Sequence, residues 1–259
     1  MKTKVNGITI NYETYGDSGK WITLVHGAQD NLNVWWNQVA LFSKKYRVLA
    51  IDWRGHGDTE TPALDYKFEI LVQDLYELWQ HLGIKQTYLN GHSMGGGIVI
   101  RAALAYPEIV KALIITNSGV AARAPSKEEN ERLMAERRQR WDYLERVGFW
   151  PYDDDDSKLS PAERMYKAMK LRNDPKKYVR MIRTLDRAGT PPDTSVMKCP
   201  TLIISGEYDG LGGPDAGKTT QDLIPGSKRV VLPTGHNPHV ETPEEYNKII
   251  LEFLGGLSD

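Results

Sequence analysis

The feature that most constrains the fold is a pentapeptide and its setting: Gly91-His92-Ser93-Met94-Gly95 follows a short apolar run at 87–90 and precedes Ile98, Ala102 and Ala105 at helical spacing. A strand that turns sharply into a helix at G-x-S-x-G presents its serine hydroxyl above the edge of a sheet. The flanking glycines leave room for a strained backbone and for close neighbours. The new helix aims its first N–H groups at any negative charge that develops there. Such a turn needs a parallel sheet around it, and the rest of the chain supplies the pattern. Apolar runs at 22–25, 47–51, 87–90, 112–116, 201–205 and 229–232 read as buried strands. Ile70, Leu71, Leu75, Leu78 and Leu82 recur at helical spacing between two of them. The expected class is therefore α/β. Residues 5–15, turning at Gly7, read as an N-terminal hairpin, and a last helix is expected from Pro243 to Leu254, capped by Thr242 and stopped by Gly255 and Gly256.

Charge divides the chain. Residues 120–192 carry 17 Lys+Arg against 13 Asp+Glu, a net of +4, while the remainder carries 16 against 21, a net of -5. The denser, basic stretch reads as an insertion of three helices. Ser126 with Glu129 and Ser160 with Glu163 are capping boxes, Pro161 and Pro175 stand at first helical positions, Asp174 caps the third helix, and Gly189 ends it. The expected organisation is a core of 1–119 and 197–259 with a helical cap at 120–196. Asp153 to Asp156 lack the glycine and distal glutamate of a calcium loop and read as a solvated linker. The whole-chain charge of -1 argues against a polyanion partner, so no nucleic acid is expected. A single cysteine, Cys199, forms neither an internal disulfide nor a cysteine metal site, and no apolar stretch is long enough to span a bilayer. A soluble cytoplasmic protein, monomer or homodimer, without membrane contact, metal or cofactor is the expectation.

A serine nucleophile needs a base, and the base needs an orienting acid. After the run 201–205 comes Gly206-Glu207-Tyr208-Asp209, and after 229–232 comes Pro233-Thr234-Gly235-His236. Both loops leave carboxyl ends of parallel strands, the edge from which Ser93 emerges. Asp209 is expected to accept from one ring nitrogen of His236 while the other takes the Ser93 proton. Glu207 is the rival acid. Asn117, at another strand end, offers no carboxylate, and His92 is expected to point away. His26-Gly27-Ala28-Gln29 follows the first core strand, so the backbone N–H groups of Ala28 and Met94 are the expected oxyanion donors. Gln29, Trp150, Met169 and His239 are expected at the substrate pocket, with Trp141, Phe149, Met165 and Tyr166 as further apolar wall. Arg172, Arg180 and Arg183 are weighed as a carboxylate clamp and not adopted.

These residues resemble the α/β-hydrolase superfamily, from the hairpin to the last helix. The stretches LVHG (24–27), AIDWRGHGDT (50–59), NGHSMGGGI (90–98), CPTLIISGEYD (199–209) and GHNPHVETPEEYN (235–247) carry the likeness. It implies a mostly parallel eight-stranded sheet flanked by helices, with a cap after the sixth strand. Ser93, Asp209 and His236 match the family's triad positions, and Asp52, Arg54 and Gly57 look like its structural turn. Haloalkane dehalogenases and epoxide hydrolases place an aspartate where Ser93 stands. Carbon-carbon bond hydrolases usually carry a glycine-proline-glycine first loop and a tryptophan after the histidine, where this chain has Ala28-Gln29-Asp30 and Asn237. The expected activity is hydrolysis of a small-molecule carboxylic ester or lactone through an acyl-enzyme. Carbon-carbon hydrolysis of vinylogous diketones, and a ligand receptor without turnover, stand as alternatives.

Overall fold

The computed structural model describes residues 1–64, 66–120, 126–148, 156–185, 191–211 and 213–257. β1 (Lys2–Val5) and β2 (Ile8–Tyr15) form the expected hairpin. Its central pair, Asn6 and Gly7, both have positive φ, 44° and 73°, the geometry that matches strand twist and that Asn-Gly tolerates. The chain continues through β3 (Trp21–Val25), α1 (Trp36–Phe42), β4 (Arg47–Asp52), α2 (Phe68–His81), β5 (Thr87–His92), α3 (Met94–Ala105) and β6 (Val110–Thr116). Among the described residues three α-helices follow before the sheet resumes: α4 (Lys127–Val147), α5 (Pro161–Lys170) and α6 (Pro175–Thr184). The last elements are β7 (Thr201–Gly206), α7 (Gly213–Leu223), β8 (Lys228–Leu232), α8 (Pro238–Glu241) and α9 (Pro243–Gly255).

The eight strands lie in the order β1-β2-β4-β3-β5-β6-β7-β8. Only β1/β2 and β2/β4 pair antiparallel, and every other pair is parallel. The carboxyl ends of β3, β5, β7 and β8 therefore share one edge. β5 and β7 are buried along their whole length, as strands covered on both faces must be. One face packs under α2 and α3 through Leu71, Leu75, Leu78, Trp79, Ile98 and Ala102. The other packs under α1 and α9 through Trp35, Phe42, Tyr246, Ile250 and Leu254.

Among the described residues the stretch between β6 and β7 holds three α-helices and one short 3-10 helix, Asp156–Lys158. In both capping boxes the serine hydroxyl accepts the N–H three residues on, and the glutamate accepts the serine N–H. Asp174 accepts from the Lys176 N–H at 2.9 Å. Trp141 and Leu144 of α4, with Tyr178, Met181 and Ile182 of α6, are buried in the same cluster as α2 and α3, so these helices are seated on the main core. Arg183 ties α6 to Asp142 and Glu145 of α4. Thr242 departs from expectation: it precedes α9, but its hydroxyl donates back to the Pro238 carbonyl and caps nothing. Phe149, Trp150, Asp153 to Asp155 and Gly189 lie outside the described residues. Among the described residues no helix is long and apolar enough to cross a membrane.

Candidate active site

Ser93 sits between β5 and α3 with φ 50° and ψ -119°, a conformation that costs a side-chain-bearing residue about 1–3 kcal/mol. Packing imposes it. A Cβ on Gly95 would lie 2.3 Å from the Val25 carbonyl oxygen, and one on Gly91 would lie 2.5 Å from a Val99 methyl. The Ser93 N–H is held by the Thr116 carbonyl at 2.9 Å. The tight turn thus lifts the hydroxyl off the sheet edge and into a cleft of about 900 Å³.

His236 Nε2 lies 2.9 Å from Ser93 Oγ, and its Nδ1 lies 2.9 Å from Asp209 Oδ1. A carboxylate only accepts, so Nδ1 carries the proton and Nε2 presents its lone pair to the serine O–H. Asp209 is 4% exposed, whereas Glu207, the rival acid, faces solvent. Asn117 joins the two loops that carry this pair: its Oδ1 accepts from the Gly206 N–H at 2.6 Å and its Nδ2 donates to the Gly235 carbonyl at 2.9 Å. Glu241 accepts from the N–H groups of Gly235 and Asn237 at 2.7 and 2.9 Å, gripping the chain on both sides of His236.

His92 was expected to point away from the chemistry, and it supplies no base. It nevertheless supports His236. Its Nε2 donates to the His236 carbonyl at 2.8 Å, and the two rings stand 4.9 Å apart. Burial, with His236 nearby, pushes His92 well below the usual histidine range, so it stays a neutral prop.

Ala28 and Met94 both line the cleft, one from the loop after β3 and one from the first turn of α3. The loop is held from two directions. The Gln29 N–H donates to His56 Nε2 at 3.0 Å, while His56 Nδ1 donates to the Arg54 carbonyl. Burial and the neighbouring His26 hold His56 well below its ordinary range, as an acceptor nitrogen requires. From the other side, Asn173 donates to the Gln29 carbonyl at 2.9 Å and accepts from the Gly57 N–H at 2.9 Å. Asp52 anchors the same region as a structural acceptor for Leu32, Asn11 and Asp58, and Arg54 forks onto Asp74.

Of the four residues expected at the pocket, Gln29 lines the cleft and Trp150 lies outside the described residues. Met169 and His239 are corrections. α5 presents Tyr166 and Lys170, one turn apart, to the cleft, which turns Met169 into the core beside Leu32 and Trp35. His239 is fully buried against Trp35, His92 and Tyr246, because α8 turns the chain inward directly after His236. Met165 is 48% exposed, while Trp141 and Tyr166 do line the cleft. Among the described residues no group of three or more His, Cys, Asp or Glu side chains is arranged to hold a metal ion.

An eight-stranded sheet of this order, with a strained serine at the β5–α3 turn beside a histidine–aspartate pair, defines an α/β hydrolase. The family model for the alpha/beta hydrolase fold matches residues 20–158, more than half of the chain, and the protein belongs to that family. It is similar to 3-oxoadipate enol-lactonase 2 of Acinetobacter baylyi, 26% identical over 254 residues covering 94% of this chain and 92% of that one. It is 34% identical to epoxide hydrolase 4 of Mus musculus over 120 residues, which are 45% of this chain and only 33% of that relative. In three dimensions it is similar to a thermophilic esterase from Thermogutta terrifontis, with a TM-score of 0.83, 26% identity and 98% of each chain covered.

Proposed function

We propose that the protein cleaves carboxylic esters or lactones of small molecules through a serine acyl-enzyme. The observation that carries this reading is the Ser93–His236–Asp209 chain, with 2.9 Å at each link. His236 takes the Ser93 proton as Oγ attacks the carbonyl carbon, and the developing oxyanion is met by the N–H groups of Ala28 and Met94. Collapse of the tetrahedral adduct breaks the bond to the leaving oxygen, which receives the proton from His236. Water then enters, gives a proton to His236, attacks the acyl carbon and releases the acid, restoring Ser93.

The residues 120–196 serve as a cap in this scheme, and Trp141 and Tyr166 from that stretch line the cleft that holds Ser93. The epoxide hydrolase relatives are matched over a third of their length. A serine in place of their aspartate nucleophile favours acyl transfer over epoxide opening. The enol-lactonase and esterase similarities support the same reading. The test is multiple turnover of p-nitrophenyl butyrate, lost in Ser93→Ala and blocked by a serine-directed phosphonate. A single slow turnover would indicate a receptor instead, and full activity in Ser93→Ala would refute the proposal.

A further inference from the structure

The cleft holds more positive charge than the hydrolytic reading uses. Its lining includes Arg101, Arg137, Arg140 and Lys170 against Asp30 and Glu136. Lys170 and Asp30 are accounted for: Lys170 Nζ stands 4.0 Å from Asp30 Oδ1, which also accepts the Tyr166 hydroxyl at 2.9 Å. Three arginines then face one glutamate. Among the described residues none of the three arginines forms an ion pair.

Arg101 is the most telling of them. It is half-buried, its guanidinium lies 4.1 Å over the Phe68 ring, and Nη1 donates to the Gly97 carbonyl at 3.1 Å. Burial pushes the guanidinium down from its ordinary value, the mark of a cation held out of water without a full counter-charge; Glu69 offsets this in part. Gly97 makes the seat, since it has no side chain to fill the floor where Phe68 and Arg101 meet. Along α3, residues 97 and 101 stand one turn apart on one face, so the guanidinium folds back to Gly97 in the first turn after Ser93, and Ser93, Gly97 and Arg101 line the same cleft. Arg137 and Arg140 of α4 face the same cavity from above.

The chemistry fixes which part of the substrate lies there. His236 must protonate the leaving group, so that group faces the β8 side. The acyl chain is then left the rest of the cleft, which Gly97 and Arg101 of α3 and Phe68 of α2 line. Resting on the ester-hydrolase reading above, we infer that the preferred acyl group ends in a carboxylate, seated between Arg101 on the floor and Arg137 and Arg140 on the roof. The substrates are then half-esters of dicarboxylic acids, or lactones that carry a free carboxylate. Three converging cations would also raise the local concentration of such anions and speed their capture at low salt.

The test compares p-nitrophenyl hydrogen glutarate and suberate with p-nitrophenyl pentanoate and octanoate, pairs matched in length and differing in the terminal carboxylate. For at least one pair kcat/KM should favour the anion by about tenfold or more, as expected for a charge-assisted contact, and the preference should shrink as salt is raised. Arg101→Gln should lower the anion-to-neutral ratio about tenfold, Arg101→Lys should keep most of it, and Glu136→Gln should raise it. The ratio cancels any general loss of active protein. Equal or poorer turnover of both anionic esters, with a ratio insensitive to Arg101 and Glu136, would overturn the inference while leaving the esterase reading intact. Calorimetric binding of free glutarate and suberate to the Ser93→Ala protein reads the subsite without turnover. Arg101-dependent binding with no ester cleaved by the wild type would uphold the anion subsite and overturn the esterase reading. If the neutral esters alone are cleaved and neither diacid binds, the subsite is refuted.

Discussion

Acid should destabilise this fold in a range where most carboxylates are still ionised, and the reason lies in its buried histidines. His56 and His239 are fully buried and His92 is 1% exposed. Burial pushes all three well below the ordinary value of 6.5, and the neighbouring histidines push the same way. The folded chain therefore leaves them neutral as the pH falls through 6.5, while the unfolded chain takes up a proton at each. Stability is fully present above that value and is lost below it. From about pH 7.5 to about pH 5.5 each histidine forfeits about 1.3 kcal/mol, so the three together remove about 4 kcal/mol. That is a large part of the 5–15 kcal/mol or so that ordinarily separates folded from unfolded chains. His26, also fully buried and lowered by desolvation but partly compensated by Asp52, adds in the same direction. Carboxylates held low by hydrogen bonds, such as Glu60 and Glu163, titrate below this window. The assay is urea unfolding followed by the fluorescence of the buried Trp35, Trp53 and Trp79 across that pH range, with unfolding free energies compared at constant ionic strength. His239→Gln should remove about a third of the pH-dependent fall. A loss smaller than about 1 kcal/mol would refute the reasoning, because it would mean that these histidines are protonated, or hydrated, in the folded state.

Three further outcomes follow from the site. Ser93→Ala should lower ester kcat/KM by several orders of magnitude, on the order of 10⁴-fold or more, with the urea midpoint retained or raised because the strained position carries no essential packing. Gly95→Ala places a methyl against two carbonyl oxygens, 2.3 Å from Val25 and 2.4 Å from His26. It should cost about 3 kcal/mol in urea unfolding. Asn117→Ala removes the link between the Asp209 and His236 loops; kcat should fall about ten- to a hundredfold through misplacement of the pair, with a much smaller change in KM.

Local signals carried far in this chain. Strand runs, the Asn6-Gly7 turn, both capping boxes and the elbow at Ser93 each depend on residues a few positions apart, and each is where the pattern puts it. The pairing of Ser93 with His236 and Asp209 was legible for the same reason. Each follows a recognisable strand, and parallel strands deliver their loops to one edge. The supports of that site were not legible. Asn117 was noticed only for the carboxylate it lacks, yet it bridges residues 206 and 235. His92 was set aside as a residue on the far side of the turn, yet it holds the His236 backbone 144 positions away. Asn173, between α5 and α6, fixes the loop that carries Ala28.

Helical spacing told that α5 has an apolar side, but not which of its residues would meet the cleft. The packing of α5 on the core turned Met169 inward and left Tyr166 and Lys170 beside Asp30. The same holds for charge. The net of +4 in the inserted stretch is visible in the sequence, while the choice of Arg101, Arg137 and Arg140 over Arg172, Arg180 and Arg183 as the residues facing the cavity is not. Periodicity fixes what lies on one face of an element, because it is a property of the backbone alone. Which face looks into the site is decided by how separate elements pack, and that depends on contacts between residues a hundred or more positions apart.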